Sequence, residues 1–250
     1  MVKKLIRKAF NVLGYEIQKK NKNRDIFAVR QRIDEAMLHL GTTGYYPELI
    51  IDVGAADGTP FLQNSFPKSR FFWIEPLKEF ETALKNLQQT HKGDYSITAV
   101  GKTEGTLVLH VHDDLHGSTL FNETDGEKAD GIPREIPVTT LNRLAAENNW
   151  KQYGKILLKA DVQGFELEVL EGAKDLLPQV DVILLEVSFF RFLKQAPDFF
   201  DVISYMKGIG YAVYDIVGGL NRPFDSALGQ KDLVFVKENG IFRAKHGWNG

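Results

Sequence analysis

Cysteine is absent from the 250 residues. That excludes a disulfide scaffold, thiolate metal ligands and a cysteine nucleophile. The simplest compartment to expect is then the cytoplasm. Long apolar runs are also missing, and none approaches the ~20 residues that span a bilayer. Nor does one sign of charge dominate: 31 Lys and Arg face 33 Asp and Glu, a formal net charge of −2. Without a strong global field, no nucleic-acid partner is expected. No repeat of fixed period is visible, and 43% hydrophobic and 26% charged residues is ordinary globular usage.

The charge is unevenly placed. Residues 1–32 sum to +8 and the remainder to −10. Val2, Leu5, Ile6, Ala9, Phe10 and Leu13 recur at helical spacing, with Lys3, Lys4, Arg7 and Lys8 between them. A basic amphipathic helix of this kind packs on its own domain or lies on an anionic membrane surface. The chain is therefore expected to divide into a basic amphipathic helical extension, 1–47, and a main domain, 48–250. Peripheral membrane contact through residues 1–24 is one expectation for the extension.

From residue 48 strand and helix signals alternate. Strands are expected at Leu49–Val53, Arg70–Glu75 and Tyr95–Val100, with helices opening at Thr59-Pro60 and running through Phe80, Leu84 and Leu87. Thr106–His112 and Glu135–Val138 read as additional strands around a polar, mobile loop, 113–134. Alternation resumes with strands Lys155–Ala160 and Asp181–Val187, helices Gly164–Leu177 and Asp198–Gly208, and final strands Tyr211–Val217 and Asp232–Lys237. The last two lack a crossover helix, so they are expected to pair antiparallel. Such a pattern predicts a mainly parallel α/β sheet covered on both faces, with ligands at the strands' carboxyl ends.

The most informative segment is Asp52-Val53-Gly54-Ala55-Ala56-Asp57-Gly58, between a strand and a helix. Gly54 and Gly58 permit a tight turn, and Ala55 and Ala56 keep side chains small. Glu75 ends the next strand, 21 residues after Gly54, where an acid can accept two ribose hydroxyls. The turn fits the G-x-G-x-x-G dinucleotide fingerprint poorly, and Asp52 would face a pyrophosphate unfavourably. S-adenosylmethionine has a ribose, an ammonium that Asp52 can meet directly or through water, and no phosphate. An NAD-dependent oxidoreductase is the alternative from another enzyme class, and a non-catalytic binding module the alternative outside enzymes.

Several segments in order extend this reading: IDVGAADG (51–58), FWIEP (72–76), Ala99-Val100-Gly101, IPVTTLNRL (136–144), KILLKADVQGFELEVLEGA (155–173), VILLEV (182–187) and DLVFV (232–236). Together they resemble the FkbM family of class I S-adenosylmethionine-dependent methyltransferases. The resemblance implies a Rossmann-like, doubly wound seven-stranded sheet with its last strand antiparallel, carrying a small β insertion. It also implies O-methyl transfer to a hydroxyl of a sugar, glycan or secondary metabolite. Asp52, Gly54, Ala55, Ala56 and Gly58 would line the methionine and adenosine end, Glu75 and Pro76 the ribose, and Ala99 and Val100 the adenine. The family often has Asn where Ala56 stands and Asp where Asn142 stands.

Methyl transfer to a hydroxyl needs alignment and a proton acceptor. Asp161, Glu186 and His116 are the candidate catalytic residues. The two acids end neighbouring strands, where either can act as base or both can hold a divalent ion. Lys159 reads as a paired or solvated lysine. His110, His112, Asp114 and His116 form H-x-H-x-D-x-H, one residue longer than a zinc-hydrolase motif, so no metal ligands are assigned to them. Phe189, Phe190 and Phe192, with Arg191 among them, read as core and rim packing under a helix or as a stacking surface for a sugar or other flat acceptor.

Overall fold

The computed structural model describes residues 29–126 and 129–248. The basic amphipathic pattern of residues 1–24 lies outside them. Among the described residues no helix is long and apolar enough to cross a membrane.

The chain enters through helix α1 (Ile33–Thr42) and strand β1 (Leu49–Val53). Helix α2 (Pro60–Ser65) follows, with Thr59 at its N-cap and Pro60 in its first turn. Next come β2 (Arg70–Glu75), α3 (Glu81–Thr90), β3 (Gly93–Ile97) and a two-residue strand β4 (Ala99–Val100). Strands β5 (Gly105–Val111) and β6 (Ile132–Thr139) precede α4 (Leu141–Glu147) and β7 (Ile156–Ala160). The chain closes with α5 (Glu166–Glu171), β8 (Val180–Ser188), α6 (Phe199–Gly208), β9 (Tyr211–Asn221) and β10 (Leu228–Lys237).

Seven strands form one sheet in the order β3-β2-β1-β7-β8-β10-β9. All pairings are parallel except those of β10, which runs antiparallel to β8 and β9. The order reverses between β1 and β7, the place where an α/β sheet opens a crevice. Alternation along fully buried strands feeds both faces. Ile51 and Val53 join one core with Leu158 and Ile183, while Ile50 joins the other with Leu157 and Val182. Helix α1 packs into that second core through Ala36, Met37 and Leu40.

Three expectations change. The strand expected at Tyr95–Val100 is broken at Thr98. β3 stays in the large sheet, whereas β4 turns away to pair with β6 in a separate three-stranded sheet, β4-β6-β5. The Thr98 hydroxyl marks the break by donating to Ala99 O and Pro137 O. The helix expected over Gly164–Leu177 is α-helical only from Glu166 to Glu171. Gly172 then passes so close to the Gly101 carbonyl that a Cβ would lie 2.0 Å from its oxygen. The last strands are longer than expected, leaving six residues to join β9 and β10.

Candidate active site

At the carboxyl ends of β1, β2 and β7 lies a cavity of about 330 Å³. Gly54, Ala55, Ala56, Gly58, Glu75, Pro76, Ala99 and Val100, all expected at a cofactor, line it, as do the candidate catalytic residues Asp161 and His116. Asp52 and Glu186 are not on its wall.

The turn after β1 is built by local constraints. Gly54 (φ +71°) and Gly58 (φ +109°) hold left-handed conformations that favour glycine. A Cβ at Gly54 would sit 1.9 Å from the backbone oxygen of Asp161. The close approach that demands this glycine is therefore to the chain's own β7 turn. Ala56 holds φ +45°, a region where Asn is far commoner than Ala. Its amide donates to Glu75 Oε2 at 3.0 Å, and the Leu77 amide donates to Glu75 Oε1 at 2.9 Å. Burial pushes the Glu75 carboxyl up, while those two amides and the Lys159 ammonium oppose the rise.

Asp52 lies beneath the turn, fully buried. Its strand neighbour in register is Lys159 of β7, on the same face. Lys159 Nζ meets Asp52 Oδ1 at 3.2 Å, donates to Gly54 O at 2.8 Å and stands 3.7 Å from Asp161 Oδ2. Burial disfavours the lysine's charge, but Asp52 and Asp161 outweigh it and hold its pKa above the ordinary value. Asp52, expected to meet a cofactor ammonium directly or through water, forms an internal ion pair that ties the β1 turn to β7.

The β7 turn, 161–164, has its own clasp. Gln163 (φ +51°) and Gly164 (φ +94°) are left-handed. Glu166 Oε1 accepts from the Val162 and Gly164 amides, each at 3.1 Å. Burial raises Glu166 to about 7 despite these bonds. Sequence reasoning passed over Glu166, although an acid two residues after a glycine turn at a helix start is a capping signal.

Gln163 Nε2 donates to Asp161 Oδ1 at 3.0 Å and to Glu186 Oε2 at 3.3 Å, so it bridges the two candidate acids. Gln230 Nε2 donates to the same Glu186 oxygen at 2.9 Å. Burial, together with the Asp161, Glu166 and Asp232 carboxylates, pushes Glu186 up to about 8. Asp161 is the more open of the two, its side chain 38% exposed.

The segment following β5 forms the rest of the wall. The His116 ring tilts against Phe80 at 5.2 Å. The stretch expected to be a mobile loop is tied at several points. Thr119 Oγ1 donates to Gln163 O at 2.7 Å, the Thr124 amide to Phe192 O and the Lys194 amide to Asn122 O. His110 pairs through its backbone with Thr119. Among the described residues no group of three or more His, Cys, Asp or Glu is gathered to hold a metal ion. Phe189 stacks on Phe199, and Phe190 lies 3.8 Å from the Arg222 guanidinium carbon. Asn142 proves structural: Oδ1 accepts from the Asp175 and Leu176 amides, a task an aspartate also performs.

The sequence matches the methyltransferase FkbM domain over residues 52–213. The chain belongs to the FkbM methyltransferase family. It is an S-adenosylmethionine-dependent methyltransferase, and the matched span runs from the buried Asp52 of β1 into β9. No curated protein matches the chain. Among solved structures, this FkbM methyltransferase is similar to an S-adenosylmethionine-bound magnesium protoporphyrin IX methyltransferase from Synechocystis PCC 6803. Identity there is 13% and the TM-score 0.45, with 94% of this chain and 96% of that one covered. It is also similar to 1,6-didemethyltoxoflavin-N1-methyltransferase of Burkholderia thailandensis, at 13% identity and TM-score 0.45, covering 94% and 88%. A putative RNA methyltransferase of Pyrococcus horikoshii aligns at 14% identity and TM-score 0.43, covering 95% and 99%.

Proposed function

We propose that this FkbM methyltransferase transfers a methyl group from S-adenosylmethionine to a hydroxyl of a sugar, glycan or secondary metabolite. The acceptor is taken to be a small molecule or glycan and not a nucleic acid. One observation carries the reading: a single cavity of about 330 Å³ holds the Glu75 carboxylate at the end of β2 and the Asp161 carboxylate at the end of β7. That volume lies within the range of small-molecule sites.

The residues present fit the cofactor. Glu75 is fixed by two backbone amides and keeps lone pairs for ribose hydroxyls. Leu109 and Ile136 give an apolar wall beside Ala99 and Val100, suited to adenine. When bound, S-adenosylmethionine supplies an electrophilic methyl group.

Asp161 is the general base in this reading. It faces the cavity, and Lys159 and Gln163 fix its two oxygens. It accepts the acceptor's hydroxyl proton as the oxygen becomes nucleophilic. Glu186, held up at about 8, retains its proton at neutral pH. His116, which also lines the cavity, is an acceptor contact in this reading. The Lys159–Asp52 pair is a positioning device that keeps the two turns in register.

The test is calorimetric titration with S-adenosylhomocysteine, with NAD as control. Saturable binding that weakens at least tenfold in Glu75→Ala is expected. Asp161→Asn should keep that binding and lose about 10²–10⁴-fold in kcat. Binding of NAD alone, or full turnover by Asp161→Asn, would overturn the proposal.

A further inference from the structure

Beside the first cavity is a second, of about 190 Å³. The two share one residue, Gln163, and border each other through adjacent pairs: His116 with Gly117, and Gln163 with Gly164. The second cavity lies at the carboxyl ends of β7 and β8. Ser188 and Gln230 are register partners on β8 and β10 there, and their side chains reach it from one face.

The lining is largely polar. Gln163, Gln230 and Ser188 offer amide and hydroxyl groups, and Glu123 adds a carboxylate that burial raises above its ordinary pKa. Glu186 stands directly behind the two amides, accepting from both. Among the described residues no Lys or Arg lines the cavity. An anionic group would meet the Glu123 carboxylate, whose nearest basic group is the His112 ring at 3.9 Å, and such a like-charge meeting is unfavourable. Phe192 contributes an apolar face, and its backbone carbonyl is held by the Thr124 amide. The space is smaller than the ~300 Å³ of a drug-sized pocket, so it suits one ring rather than an extended chain.

We infer that this second cavity is the acceptor subsite. It takes a single uncharged, hydroxylated ring, and Gln230 with Ser188 selects which hydroxyl reaches Asp161 across Gln163. Amides and a hydroxyl can each donate and accept, which matches the alternating demands of neighbouring ring hydroxyls. With no Lys or Arg among the described lining residues, the subsite favours neutral rings over phosphorylated and nucleotide-linked ones. The inference rests on the proposal of hydroxyl methylation and adds to it the place, the charge and the selecting residues.

The experiment compares two acceptor panels with the full chain and labelled S-adenosylmethionine. One panel holds neutral methyl glycosides of pentoses, hexoses and deoxyhexoses. The other holds the matching sugar phosphates and nucleoside-diphosphate sugars. Transfer to a neutral glycoside is expected, with KM raised at least tenfold in Gln230→Leu and S-adenosylhomocysteine affinity within twofold of the parent. Glu123→Gln serves as a second variant of nearly unchanged shape, expected to raise KM severalfold with the same unchanged donor affinity. Transfer only to the charged panel would overturn the subsite inference and leave hydroxyl methylation standing. So would neutral transfer whose KM neither variant changes. Transfer to no hydroxyl of either panel would overturn both.

Discussion

Ala56 shows how a single residue can carry a cost that the site requires. It holds φ +45° so that its amide can reach Glu75. For a residue with a Cβ that conformation costs roughly 1–2 kcal/mol. Ala56→Gly should therefore raise stability by about 1 kcal/mol, with Ala56→Asn giving part of that gain, as urea unfolding would show. A loss of stability in both variants would contradict the strain argument. The spacing of Gly54, Gly58 and Glu75 was legible in the sequence because turns and strand ends leave local signals. The burial of Asp52 was not, because it depends on the cross-strand register that sets Lys159 beside it. Two acids near one amide make a second residue-scale prediction. Glu186 loses its proton as pH rises through about 8. That places a new negative charge behind the Gln163 amide that bridges to Asp161. The kcat profile should fall on its alkaline side near that pH, and Glu186→Gln should retain activity while losing the fall. An unchanged alkaline limb in the variant would assign that limb to another group.

At the scale of elements, the β7 turn and α5 form a unit whose stability depends on protons. Glu166 titrates at about 7, Glu186 at about 8 and Asp232 at about 6, all raised mainly by burial. The folded chain thus binds more protons than the unfolded chain from about pH 4.5 up to about 8. Stability is then greatest in mild acid and declines as pH rises through that window. The displacement of Glu166 from 4.5 to about 7 corresponds to at most ~3 kcal/mol. Urea unfolding at pH 5.5 and 8.5 should show the decline, and Glu166→Gln should flatten its share. Equal slopes in parent and variant would refute the assignment. Local periodicity located this unit but overestimated its helix, since Leu167, Val169, Leu170 and Leu176 continue a helical pattern past Gly172. The helix ends at Gly172, which backs onto the distant Gly101 carbonyl, and no window of sequence contains that close approach. The same holds for Thr98, whose bond to Pro137 sends β4 into the smaller sheet.

The whole molecule is organised around one sheet, and α1 belongs to its core although it precedes the first strand. Ala36, Met37 and Leu40 are buried against the face that carries Ile50 and Leu157. Tyr45 is fully buried as well, donates its hydroxyl to Ile156 O at 3.0 Å and packs edge-on against Phe242. We accordingly propose that the folded domain begins at α1 and not at residue 48. Complete burial of Met, Leu or Tyr side chains contributes about 1.5–3 kcal/mol each, and a domain has only about 5–15 kcal/mol in all. A chain lacking residues 1–47 should therefore fail to unfold cooperatively, whereas one lacking residues 1–28 keeps a cooperative transition and binds S-adenosylhomocysteine. Co-sedimentation of the shorter truncation and the full chain with anionic vesicles then isolates the basic segment. Binding by the full chain that weakens with salt and disappears without residues 1–28 is expected, since the +8 of residues 1–32 falls to +2 once they are removed. Equal sedimentation of the two chains would place any membrane contact on the folded domain, and loss of the cooperative transition in the shorter truncation would move the domain's start upstream of α1.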